Sequence, residues 1–112
     1  MKCLALALAA VAALAAQPAP PESKELREAK HQIDLAAIRA AANFRSADSI
    51  QAHLQEDGAV LHPRIAELRM RIEAALSEAR YEMDQHDYPA AEDALTRAQA
   101  LLDRFAKEIG GY

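Results

Sequence analysis

The sequence predicts an all-α protein, a small bundle of about three helices in which a long first helix, straight or kinked, precedes an antiparallel C-terminal helical hairpin. After the first sixteen residues, apolar side chains recur at three- and four-residue steps along most of the chain, which is typical of amphipathic helices. No alternating pattern of the kind that marks a strand interrupts them. Alanine is abundant throughout and tryptophan is absent, so the composition favours closely packed helices around a thin core.

The first sixteen residues, MKCLALALAAVAALAA, have the features of a secretory signal peptide. Lys2 precedes an apolar run from Leu4 to Ala16, and this run of about 13 residues is shorter than the roughly 20 that cross a bilayer. Small residues near Ala15 and Ala16 fit cleavage by a signal peptidase. We therefore expect a periplasmic or secreted protein with no stable membrane span after cleavage.

Cys3 is the only cysteine, and it precedes the apolar run. A lipidated cysteine would have to follow that run, so we expect that the protein is not a lipoprotein and that the mature chain has no disulfide. The full chain has 13 basic and 17 acidic side chains; without Lys2, 12 basic ones remain and the net charge is −5. This acidic balance argues against nucleic acid and anionic lipid as partners.

The first helix is predicted to follow a Pro-rich spacer at residues 17–23, and a helical domain to span residues 24–112. Ser23 is a candidate N-cap, and Gly58 suits the left-handed position at the helix end. Residues 43–46, Asn-Phe-Arg-Ser, are poor helix formers, which predicts a kink or break there. The main apolar stripe is Leu26, Ala29, Ile33, Ala36, Ala40, Phe44, Ala47, Ile50 and Leu54, and a weaker stripe is Leu35, Ile38 and Ala42.

Two shorter helices should follow. Pro63 fits the first turn of the second helix, and Asp87 is a candidate N-cap for the third. Their short connection predicts an antiparallel hairpin. The first helix, about 50 Å long at 1.5 Å per residue, exceeds the other two, so its surplus end must fold back or contact a partner.

The last hairpin resembles the turn and second helix of a tetratricopeptide repeat. Tyr88, Ala91, Leu95 and Ala98 stand where that family has an aromatic residue, small residues and a large apolar residue, and His86 replaces its turn glycine. The resemblance implies a tight helical hairpin.

A wider resemblance is to short alanine-rich helical envelope proteins of bacteria, whose function is unknown. The matching positions are Gly58, Ala59, Pro63, Asp87, Tyr88, Ala91 and Ala98. Many members of that family are lipoproteins, and some accompany modules that bind peptidoglycan. The resemblance implies a helical envelope protein and brings no catalytic residues.

The function that these observations favour is protein–protein interaction or self-association in the cell envelope. A regular heptad-like spacing suits contacts between helices. We expect either a protein partner or a homo-oligomer and no cofactor. The candidate partner contacts are Phe44, Ile50, Leu54, Tyr88 and Tyr112.

A periplasmic protein that binds zinc or copper is the alternative. Glu28 and His31 form a Glu-x-x-His step, and Glu82 and His86 lie one helical turn apart. A di-iron bundle would need two such steps and further glutamates. An enzyme is not expected, since the serines lie in helical or capping contexts and no Gly-rich phosphate loop is present.

Overall fold

Three helices form the part of the chain that the computed structural model describes, residues 23–112. They are α1 (Lys24–Glu56), α2 (Pro63–Asp84) and α3 (Tyr88–Ile109). Residues 23–112 contain no strand, and the prediction of an all-α bundle of three helices is confirmed. The predicted signal peptide, and the predicted spacer apart from Ser23, lie outside the described residues.

Each helix begins at a residue whose side chain accepts a hydrogen bond from a free backbone N–H of the first turn. Ser23 Oγ accepts from the N–H of Leu26 at 3.1 Å, and Asp87 Oδ1 accepts from the N–H of Ala90 at 3.2 Å. His62 Nδ1 has the same role at the start of α2, where Pro63 follows His62. The predicted helix starts are therefore confirmed.

The first two helices end in the same way, with one residue in the left-handed conformation. At the end of α1 this residue is Gly58, with φ of 73°, and the N–H of Ala59 bonds the carbonyl of Leu54 at 2.8 Å. At the end of α2 it is His86, with φ of 61°, and the N–H of Asp87 bonds the carbonyl of Glu82 at 2.9 Å. Both are Schellman-type ends.

Helix α1 continues without a break through residues 43–46, so of the two predicted alternatives, a kink or a break, the break is wrong. The ring of Phe44 packs edge-on against Phe105, with centroids 5.4 Å apart. The guanidinium of Arg69 lies 4.6 Å from the centroid of the Phe44 ring. These contacts with α3 and α2 outweigh the low helix propensity of residues 43–46, which costs only tenths of a kcal/mol per residue.

The core lies along one stripe of each helix, as the apolar spacing predicted. Helix α1 contributes mainly alanine to it, whereas Ile72, Leu102 and Phe105 are its largest fully buried side chains. No polar or charged residue of the described part is fully buried. The buried set is Ile33, Ala36, Ala40, Ala47, Ile65, Leu68, Ile72, Ala75, Leu76, Ala79, Met83, Ala91, Ala94, Leu95, Ala98, Leu102, Phe105 and Ile109.

Ion pairs between helices show how the helices are aligned. Arg64 near the start of α2 pairs with Glu108 near the end of α3 at 3.2 Å, which confirms that the hairpin is antiparallel. Further along, Arg97 pairs with Glu78 at 2.9 Å, and the hydrogen bond that Arg97 donates to this carboxylate raises the pKa of Arg97 above its usual value. These pairs lie at the surface, where ion pairs add little stability.

Helix α1 runs parallel to α3 and antiparallel to α2. Arg39 of α1 pairs with Asp103 of α3 at 2.7 Å, and Asp48 of α1 pairs with Arg69 of α2 at 2.9 Å. As a result, α1 and α3 begin at the same end of the bundle.

Candidate functional site

The three partner residues predicted on α1 are all half-buried. Phe44 and Ile50 pack against the core, and Leu54 is also the carbonyl acceptor at the Schellman-type end of the helix. The side chains of Phe44 and Ile50 are therefore used in the packing of the bundle itself.

The two predicted tyrosines lie at opposite ends of the bundle. Tyr88 begins α3 and is 38% exposed, and its hydroxyl lies 3.2 Å from His86 Nδ1. Tyr112 is 54% exposed, and its hydroxyl accepts a hydrogen bond from the N–H of His62 at 2.9 Å. The structure therefore does not join the five predicted partner residues into one surface.

The four predicted metal ligands come from two helix ends. Glu28 and His31 lie in the first turns of α1, and Glu82 and His86 lie at the end of α2. Among residues 23–112, no three side chains of His, Cys, Asp or Glu form a group that could hold a metal ion.

The outward face of α1 carries large apolar side chains. Leu35 is 45% exposed and Ile38 is 65% exposed, and Ala42 one turn later is also exposed. Five helical steps separate Ile33 in the core from Ile38, a rotation of about 140°. The weaker apolar stripe read from the sequence is therefore a solvent-facing stripe.

A second stripe, with a large apolar side chain at each end, runs along the outward face of α2. Met70 is 70% exposed and Tyr81 is 59% exposed, with Ala74 and Ser77 exposed between them at helical spacing. The sequence analysis assigned no surface role to this stripe, although its spacing of four, three and four residues is visible in the sequence.

A groove between α1 and α3 lies at the end where both helices begin, and its volume is about 490 Å³. We call it the acidic groove, because its lining contains three carboxylates and no basic side chain. The sequence analysis did not predict this groove. The groove depends on which sides of α1 and α3 face each other, and no sequence motif reports that rotation. Its lining is Ser23, Glu25, Leu26, Glu28, Ala29, Gln32, Ile33, Tyr88, Ala91, Glu92 and Leu95.

A groove of similar size between α2 and α3, about 480 Å³, has the opposite charge. Arg71, Arg97 and Arg104 line it around a floor of alanine and leucine. Two of these arginines are already paired, Arg71 with Glu67 and Arg97 with Glu78.

Comparison of the chain with protein-family models, curated proteins and solved structures finds no match. The resemblance to alanine-rich envelope proteins and to a tetratricopeptide hairpin therefore stays a prediction. Within residues 23–112, no helix has both the length and the hydropathy that crossing a bilayer requires.

Proposed function

We propose that this chain is an exported, non-enzymatic helical protein that acts through protein–protein contacts in the cell envelope. The outward face of α1, at Leu35, Ile38 and Ala42, supplies the contact. The partner is either another envelope protein or a second copy of the chain.

The observation that carries the proposal is the exposure of Leu35 and Ile38 on a helix whose opposite side is already packed. Burying such side chains in a contact is favourable by up to about 1.5–3 kcal/mol each. Single exposed apolar residues are common, but two large ones one turn apart, followed by Ala42, form the kind of ridge that a groove between partner helices accepts.

Site-specific photo-crosslinking in living cells tests the proposal. A photo-reactive amino acid at position 38 should give a discrete adduct in the envelope fraction. An adduct of twice the monomer mass would identify a second copy as the partner, and any other discrete mass would identify a different protein.

Arg104 provides the matched control position, because it is exposed on α3 and lines the groove between α2 and α3, not the acidic groove. The same photo-reactive residue at position 104 should give no adduct. Equal adducts from both positions, or none from position 38, would contradict the proposal.

A further inference from the structure

The floor of the acidic groove is apolar. Leu26 and Ala29 are half-buried side chains that pack against the core from the first turns of α1, and Ala91 and Leu95 of α3 are buried beside them. The groove follows α1 from Ser23 to Ile33, a distance of about 15 Å at 1.5 Å per residue. This is the length of nearly three turns of a docked helix.

The rim of the acidic groove is negatively charged and uncompensated. Glu25 and Glu28 stand on α1 and Glu92 stands on α3, and all three are exposed. Within residues 23–112, none of these carboxylates takes part in an ion pair. Some acidic residues elsewhere, such as Asp48 and Asp103, are held by arginines, whereas Asp34, Glu56 and Asp84 are, like the rim, in none of the ion pairs of residues 23–112.

We propose that the acidic groove binds a cationic amphipathic helix of a partner protein, with apolar side chains on the floor and lysine or arginine along the rim. An amphipathic helix enters such a groove through side chains at i, i+3 or i+4, and i+7. Complementary charge selects the partner and accelerates the encounter. The acidic groove is a separate surface from the outward face of α1, so this proposal adds a second binding site to the proposed function.

Tyr88 adds an aromatic side chain at one edge of the groove. Its ring is partly exposed, at 38%. Tyrosine is enriched in protein interfaces because its ring gives apolar contact while its hydroxyl stays hydrated. Tyr88 is therefore expected to contact the docked helix.

The test titrates the protein with two synthetic helical peptides that carry the same leucine stripe. One peptide has lysines beside the stripe and the other has glutamates. Calorimetry at low ionic strength should detect binding of the lysine peptide, with an affinity that falls as salt is added. The glutamate peptide should bind at least about tenfold more weakly.

Two triple variants distinguish the effect of the rim carboxylates on binding from the effect of the protein's overall charge. Glu25→Gln/Glu28→Gln/Glu92→Gln should weaken binding of the lysine peptide by about tenfold or more. The control variant removes the same charge outside the groove. It carries Asp34→Asn, Glu56→Gln and Asp84→Asn, and it should bind like the unchanged protein.

A matched pair of tyrosine variants tests the position of the site. Tyr88→Ala should weaken binding of the lysine peptide by about tenfold. Tyr112→Ala, at the other end of the bundle, should leave the affinity for this peptide unchanged. Far-UV circular dichroism establishes that each variant is folded.

Failure to bind the lysine peptide would overturn the proposal, and so would equal binding of both peptides or equal affinity of the two triple variants. A dimer in solution that only the groove variant converts to monomer would also overturn it, because the occupant would be a second copy. The position 38 crosslink is measured separately, so either proposal can fail alone.

Discussion

His86 takes a left-handed backbone conformation, with φ of 61°, at a position where helix ends usually have glycine. A left-handed conformation costs a residue with a Cβ atom roughly 1–2 kcal/mol. Glycine avoids this cost, but it loses more conformational entropy on folding, which offsets part of the gain. His86→Gly should therefore raise the free energy of unfolding by about 0.5–1 kcal/mol. Urea unfolding followed by circular dichroism measures this change.

Gly58 offers the control for His86, because it has φ of 73° and no atom near enough to obstruct a Cβ. Gly58→Ala should lower the free energy of unfolding by about 1 kcal/mol through backbone strain alone. If His86→Gly destabilised the protein, the bond between His86 and Tyr88 would matter more than the strain.

Asn43 has a buried side-chain nitrogen, Nδ2, without a hydrogen-bond partner. A buried donor left unpaired costs about 1–3 kcal/mol, and asparagine is also a poor helix former. Asn43→Ala should therefore raise the free energy of unfolding by about 1 kcal/mol. Ser49→Ala, six residues further along α1 on its exposed side, controls for helix propensity. Equal gains from both variants would show that the unpaired amide costs nothing.

Helix α1 has two apolar stripes with different roles, and substitutions separate them. Phe44→Ala removes the contacts with Phe105 and Arg69 and should lower the free energy of unfolding by about 2–3 kcal/mol, less than for a fully buried ring. Ile38→Ala, on the exposed stripe, should change it by less than about 0.5 kcal/mol. Thermal and urea unfolding of the two variants measures this difference. Similar losses would show that the outward face also holds the fold.

The helix boundaries could be predicted from the sequence because local chemistry determines them. Ser23, Gly58, Pro63 and Asp87 each meet a backbone requirement of a helix end, whatever the rest of the chain does. The continuity of α1 through residues 43–46 could not be predicted in this way. It depends on Phe105, which is distant in sequence and stabilises the segment by packing.

The candidate surfaces were less predictable than the helices. The spacing of Leu35 and Ile38 identified a second stripe on α1, but only the rotation of the helix in the bundle shows that it faces solvent. The same rotation places Glu25 and Glu92 on two sides of one groove. In the sequence itself, Glu25 is simply an acidic residue in the first turn of α1, where it interacts favourably with the helix dipole.

At the scale of the whole molecule, the proposed role requires export. Expression of the full chain should give a periplasmic or secreted product that has lost its first fifteen or sixteen residues. Intact-mass measurement of the product after cell fractionation detects this loss. An unprocessed chain in the cytosol would contradict export, while the described bundle would be unaffected.

The central claim is that the outward face of α1 binds a partner while its inward face holds the bundle. The most direct measurement places the photo-reactive residue at position 42 and combines it with Leu35→Ser and Ile38→Ser. The prediction is that the adduct falls by about tenfold or more, because two apolar contacts are lost, while the melting temperature stays nearly constant. An adduct of unchanged yield, or a bundle that unfolds, would contradict the claim.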